Sequence, residues 1–398
     1  MNLLPRCFSP RHLGFLVAAL SAGVEPVLAT AEAPVAAEPL PASPAPPLTH
    51  APSVSDARRS IDAEVGSRIG VRVQNPDRTN RLDDLGMDGK VEVLLSGTIN
   101  SLLKWQAGFA GTIGTVTEDG HSEVDGKAAV LDLIGRLEFH DAIKLWVGRM
   151  LVPVDRAGLS TEWHIAPWVF PGQFSALLPP VGARQGPFGR SDGATLWGNF
   201  FGGALKYYMG LYNLGDPGLS PLYSGRLSIS LLDPEPGYRL VSSYYGTKDV
   251  LTLGVGIQHQ IDGSVHINSL SNEADAWADF TECNVDLLFE KNLSSAGVLT
   301  LEGAFYKIWG PYEPARWTTF VLTSYLLPIE VGWGRFQFLF RLQRASHRGH
   351  DGSDTLGDAQ LGYIMDGAKA RIVLGYRYSK VSGQNGNALL VGWQFFAR

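Results

Sequence analysis

The chain has 398 residues with 39 acidic and 33 basic side chains, a net charge of -6, and that balance gives no general electrostatic footprint for nucleic acid. After the N-terminus no apolar run reaches the roughly 18 residues that a membrane-crossing helix needs. The 46 glycines and 41 aromatic residues (10 Trp, 13 Tyr, 18 Phe) suit many short strands joined by tight turns.

Residues 1–29 read as a secretion leader. Arg6 and Arg11 supply a positive start, LGFLVAAL an apolar core, and Val27-Leu28-Ala29 a small-residue cleavage site. Residues 30–65 follow as an Ala/Pro-rich stretch, AEAPVAAEPLPASPAPPLTHAPSV at its centre, which holds too few large apolar side chains to bury a core. It reads as an extended periplasmic linker ahead of a domain spanning 66–398.

From there the chain alternates apolar and polar residues with a period of two, the signature of strands whose two faces meet different surroundings. Candidate strands run at Arg68–Val73, Lys90–Gly97, Leu102–Ile113, Lys127–Phe139 and Ala142–Met150. After a long gap come Gly193–Phe200, Ala204–Asn213, Tyr223–Leu232, Tyr238–Tyr245 and Val250–Gln260. Ala278–Glu290, Val298–Trp309, Thr318–Leu327, Arg335–Gln343, Leu356–Met365, Lys369–Lys380 and Asn387–Phe396 complete the series. Turn residues such as Gly202-Gly203, Asp233-Pro234, Asp366-Gly367 and Asn385-Gly386 separate many of them. The fold class these elements predict is all-β, a transmembrane antiparallel β-barrel with lipid outside and water inside. Seventeen candidates make an odd number, and single-chain barrels are normally even. Either the first candidate stands outside the barrel or a strand such as Gly263–Asn268 is missing; sixteen strands is the expectation, eighteen the alternative.

The longest connection, 151–192, contains Asp155, Arg156, Trp163, Trp168, Arg184 and Arg190. A connection this long is usually functional or disordered. Folding into the lumen as a constriction loop would keep its aromatic residues from solvent. The parity opposite the apolar one assigns Arg136, Lys144, Lys206, Arg226, Arg335, Arg341, Lys369, Arg371 and Arg377 to the lumen. Glu92, Asp132, Glu138, Asp286, Glu290 and Glu302 join them there. The small basic excess favours anions, or only keeps the lumen wet. Arg149 falls on the apolar parity at a strand end. Outward aromatic residues such as Tyr207, Phe305, Phe336, Tyr376, Tyr378, Trp393 and Phe395 suit interfacial girdles and the lipid face.

No GxSxG, HExxH, P-loop or CxxC pattern is present, so no catalytic residue, cofactor or metal site is assigned. His347-Arg-Gly-His350 reads as a solvated loop rather than a metal site.

The segments LWVGRMLVPVDRAGLS, GRSDGATLWG, RLSISLLDPEPGY and YYGTKDVLTLGVGIQHQ, spread over Lys144 to Gln260, resemble the phosphate-selective porin O and P family. The resemblance implies a sixteen-stranded outer-membrane porin of bacteria, usually a homotrimer, with a constricting third loop and a basic ladder for anions. By position it places Arg156, Arg184 and Arg190 in the constricting region. The terminus Phe395-Phe396-Ala397-Arg398 departs slightly from the terminal aromatic residue on which many bacterial barrels end. The sequence thus points to passive diffusion of small hydrophilic solutes, with outer-membrane lipid as the surroundings. A non-conducting barrel for adhesion or scaffolding, or a barrel-embedded enzyme, are the competing readings.

Overall fold

The computed structural model describes residues 60–74, 84–118, 121–172, 189–214, 218, 220–267, 274–347, 352–381 and 383–397. The leader, the linker up to residue 59, and Arg184 lie outside the described residues.

Sixteen strands follow in chain order. They are β1 (Ser60–Gln74), β2 (Asp84–Thr98), β3 (Leu103–Glu118), β4 (His121–His140), β5 (Ile143–Leu151), β6 (Arg190–Phe200), β7 (Leu205–Tyr212) and β8 (Leu222–Ser230). The second half holds β9 (Val250–Ile267), β10 (Ala274–Asn292), β11 (Val298–Trp309), β12 (Ala315–Val331), β13 (Gly334–His347), β14 (Ser353–Asp366), β15 (Ala370–Val381) and β16 (Gln384–Ala397). Each pairs antiparallel with its neighbours in sequence, and β16 closes the ring on β1 in the register Val65↔Ala397 to Gln74↔Ala388. Closure leaves no unpaired sheet edge, the condition for a sheet to meet hydrocarbon.

The alternation sorts the side chains inside out. On β13, Phe338, Phe340 and Leu342 are 43%, 56% and 61% exposed, whereas Gln337, Arg341 and Gln343 are 4% or less. In a soluble fold the apolar parity would be the buried one; here it covers the outer wall. Tyr376, Tyr378, Trp393 and Phe395 point outward in the same way. Arg149 also stands on the outer parity, where it is paired bidentately with Asp192 of the adjacent strand at 2.9 and 2.8 Å.

Two expectations about the strands are corrected. The first candidate belongs to the barrel and begins earlier, at Ser60, inside the stretch assigned to the linker. The surplus candidate is Tyr238–Tyr245, which is not a strand of the wall. Gly263–Asn268 is no separate strand either, since β9 runs on to Ile267 after a register shift against β10.

Because the strands alternate in direction, the connections fall into two sets. One end carries Ser60, Ala397 and the connections 99–102, 141–142, 201–204, 231–249, 293–297, 332–333 and 367–369. The other end carries 152–189. The two longest connections therefore start from opposite rims.

The lumen is not uniformly wet. Trp146, Trp197, Tyr208 and Tyr212 occupy inward positions on β5, β6 and β7, and pack with Met150, Leu151 and Leu159 in a buried cluster. Trp146 stacks on Tyr238 with ring centroids 4.5 Å apart and meets Trp197 edge-on at 5.2 Å. This is a small globular core built inside the barrel against one side of its wall.

Candidate constriction in the lumen

Connection 152–189 turns inward as soon as β5 ends, and Val152 N–H donates to Gly189 O (3.1 Å) to close its neck. Its first turn is fixed by Asp155, whose Oδ1 accepts from Gly158 N–H (2.8 Å) and whose Oδ2 accepts from the Tyr306 hydroxyl on β11. Burial pushes the Asp155 carboxyl above its ordinary range, against the opposing hydrogen bond from Tyr306. The wall makes room here with glycine: a Cβ on Gly256 of β9 would stand 2.1 Å from Val154 O. Ser224 Oγ–H donates to Pro153 O (2.6 Å) from β8.

The stretch 163–172 then crosses to the opposite wall, where β1 and β13–β16 grip its backbone. Arg371 donates to Ala166 O (2.8 Å), Arg341 to Val169 O (2.9 Å), Gln394 to Trp163 O (2.9 Å), and Arg68 to Trp168 O. Gln360 accepts from Trp168 N–H (3.1 Å), while Gln343 both donates to and accepts from the Gly172 backbone (2.9 and 3.1 Å). Two tryptophans dock over glycines. A Cβ on Gly66 would lie 2.9 Å from the Trp163 ring, and one on Gly392 would lie 2.5 Å from that of Trp168.

Connection 231–249 enters from the other rim and meets the first loop inside. Leu240 N–H donates to Leu159 O (3.1 Å) and Ser242 N–H to His164 O (2.9 Å). Arg156 reaches Glu235 through both terminal nitrogens, and one also donates to Val241 O (2.9 Å). Both partners are about 2% exposed or less. Burial would push the Glu235 carboxyl up, but the Arg156 guanidinium outweighs it and holds the group at about 2. The wall secures this second segment too. Lys206 donates to the carbonyls of Glu235 and Gly237, Tyr208 OH to Tyr238 O (2.9 Å), and Asn199 to Pro236 O (2.8 Å). On the other flank Glu290 of β10 accepts from the Tyr244 and Gly246 amides and from Ser243 Oγ.

The sequence-derived lumen residues divide accordingly. Lys206, Arg341 and Arg371 face inward, and their donors hold loop carbonyls. Arg226 is buried against Asp286. Arg136 pairs with Glu138 (2.6 Å) and lies 4.4 Å over the Trp146 ring, and Lys144 lies 4.6 Å over Trp197. Arg377 is half-buried and donates through Nε to Asp358 (2.7 Å). Arg335 is half-buried near the start of β13. Lys369 is corrected: it stands in the turn before β15, its side chain 58% exposed and 3.5 Å from Asp366, at the rim rather than on the wall. Arg190 is corrected too, being the first residue of β6 and paired with Asp132 (3.0 Å) rather than part of the loop. Of the loop candidates, Asp155 and Arg156 lie inside the lumen and Arg184 lies outside the described residues. The reading from sequence missed Glu235 and Tyr238, along with the glutamines that grip the loop. Glu235 carried a signal, sitting in DPEPGY among turn residues, but its partner lies 79 residues away.

Beside the crossed loops a cavity of about 310 Å³ remains, between 168–170 and the wall of β1, β2 and β14–β16. Four cations line it, Arg68, Arg72, Lys90 and Arg377, with the carboxylates Asp88, Glu162 and Asp358. Glu162, on the loop, is 3.1 Å from Lys90 and 3.9 Å from Arg68; burial acts against its ionisation, and these two cations still hold its carboxyl below the ordinary range. Among the described residues no cluster of His, Cys, Asp and Glu suits a metal ion.

No family model matches the chain, and no curated protein matches it. Solved structures do. OmpF of Salmonella typhi, in complex with daunomycin, superposes with a TM-score of 0.54 at 12% identity, covering 84% of this chain and 97% of that one. The loop L8 deletion mutant of OmpT, an outer membrane protein of Vibrio cholerae, gives 0.53 at 14% identity, with 85% and 99% covered. The trimer form of in-vitro folded OmpT gives 0.52 at 14% identity with the same coverage. At such identity the likeness establishes the fold, and the chain has the closed sixteen-stranded barrel of bacterial outer-membrane proteins.

Proposed function

We propose that this chain is a porin of the bacterial outer membrane that lets small hydrophilic solutes diffuse passively, with a weak preference for anions such as phosphate. The observation that carries this reading is a cavity lined by opposed charges, left open beside a constriction that is fixed to the wall, within a barrel whose outer face is apolar. Four cations against three carboxylates favour anions only slightly. The preference is weak because Lys206, Arg341 and Arg371 direct donors to loop carbonyls rather than to a passing solute. Membership of the phosphate-selective porin O and P family is part of the proposal. It rests on the segments between Lys144 and Gln260, which here cover β5 to β9 and both inward loops. Assembly as a homotrimer is proposed on the same resemblance and on the trimer form of the Vibrio cholerae protein. No bond is made or broken, and the chain needs no cofactor for this role.

One observation favours a second reading. The two loops bury Arg156, Glu235 and Trp163 almost completely, which suits a plugged barrel that serves as a scaffold or adhesin. Reconstitution of the purified barrel into a planar bilayer separates the two. Stepwise conductance with a reversal potential shifted toward anions supports the channel, and silence at all voltages supports the scaffold.

A further inference from the structure

The cavity beside the crossed loops is lined by charged and by apolar side chains, and Arg72 stands out among the charged ones. Its guanidinium makes no hydrogen bond or ion pair with any described residue, and its Nε is buried without a partner. Arg72 is the strongest charge acting on Asp88 of β2, and no hydrogen bond joins the two among the described residues. The register places Arg72 opposite Leu390 on one side of β16, and Arg377 opposite Ala388 on the other. Neighbouring strands lie about 4.8 Å apart, so two arginines flanking one strand can converge over its inward face. Arg377 commits its Nε to Asp358, and the rest of its planar fork stays available for a second carboxylate or phosphate. The floor between them is apolar, and Trp168 and Phe170 of the inward loop form the facing side.

The other charges around the cavity are already matched. Both oxygens of Asp358 are taken, by Arg341 and Arg377. Glu162 is held between Lys90 and Arg68. Arg68 also lies 3.8 Å over the Trp168 ring, in a cation–π contact. Among the described residues the open hydrogen-bonding capacity therefore falls on Arg72, which faces the charge of Asp88 without bonding to it, and on the free edge of Arg377.

We propose that this cavity binds a small organic carboxylate with an apolar body. The carboxylate would lie between Arg72 and Arg377, and the body against Leu390, Trp168 and Phe170. The inference rests on the channel reading for its physiological meaning, since it names the solute class that lingers at the constriction. Binding itself requires no conduction. Inorganic phosphate would satisfy the arginines and leave the apolar lining unused, while a neutral aromatic alcohol would do the reverse.

The test uses the purified full barrel in detergent and three probes: 4-fluorobenzoate, inorganic phosphate and 4-fluorobenzyl alcohol. Fluorine NMR line broadening should report millimolar binding of 4-fluorobenzoate, at least fivefold tighter than that of the alcohol. Phosphate should compete at least fivefold more weakly than unlabelled benzoate. The double variant R72Q/R377Q should weaken 4-fluorobenzoate at least tenfold while keeping the wild-type β-sheet circular dichroism. Should that variant unfold, R72K, which keeps the charge and loses the fork, should still weaken binding about threefold. Phosphate competing as well as benzoate, the alcohol binding as well as the acid, or a folded R72Q/R377Q binding as wild type would overturn the proposal. In a bilayer, benzoate should reduce the open-channel current at the same concentrations. A silent bilayer with intact binding would refute the channel and leave this site standing.

Discussion

Arg156 and Glu235 carry the meeting of the two loops, and their chemistry sets two expectations. Removing one partner of a buried ion pair leaves the other charge uncompensated, at a cost of about 3–5 kcal/mol. R156L and E235Q should each therefore loosen the crossing by that order, visible as a rise in conductance and current noise with the barrel still folded. The double change R156L/E235L should be much milder than either single change, since it leaves no orphan charge. A double variant as disruptive as the sum of the two would show that the pair is not a unit.

The response to acid follows from two groups on the loops. Glu235 is held at about 2, so its bridge is fully present above the ordinary carboxylate range and is lost only as pH falls through about 2. His164 is different: burial, with Arg239 and Arg371 nearby, holds it at about 4. Its neutral form is favoured in the fold, so the stability it contributes is complete above about 6.5 and declines as pH falls toward 4. Hydrogen exchange at Ser242, whose amide donates to His164 O, should therefore quicken between pH 7 and 4.5, after correction for intrinsic rates. H164N should remove most of that change. Equal protection at both pH values in wild type would contradict the burial argument.

At the scale of elements, the strand pattern was legible because a wall with two different solvents on its faces leaves a two-residue period in every strand. It named the sixteen-stranded class, the inward parity of β13 and β15, and the inward course of the connection after β5. The same pattern misled at Tyr238–Tyr245. That segment mixes buried and half-buried residues, as a strand would, but its Leu240 and Ser242 amides pair with the other loop. An alternating sequence reports two environments and not which backbone lies alongside. The basic residues, Lys369 apart, were legible as inward, but their roles were not. Whether Arg371 meets a solute or Ala166 O depends on a loop more than 200 residues away. Reversing Arg341 or Arg371 to Glu should therefore release the loop as well as alter selectivity, whereas R72E/R377E should shift the reversal potential toward cations with little change in pore size. Replacing 234–246 with a short Gly/Ser linker removes the second brace and should raise single-channel conductance severalfold. Unchanged conductance would mean that the segment does not narrow the path.

For the molecule as a whole, the inside-out distribution of side chains is the central claim: a closed sheet with apolar residues such as Phe340 and Leu342 outside and its glutamines and arginines around the lumen. An apolar outer wall needs hydrocarbon or detergent, and two loops braced from opposite rims leave a charged cavity of about 310 Å³ rather than a wide pore. Native mass spectrometry in detergent should give three copies per particle; a monomer at all protein concentrations would contradict the trimer reading. The most direct measurement is single-channel recording of the purified barrel in a planar bilayer under a salt gradient. Small, discrete steps with a modest anion shift are expected, abolished or reversed in sign by R72E/R377E. A barrel that inserts and never conducts, or one whose reversal potential ignores those two arginines, would contradict the account.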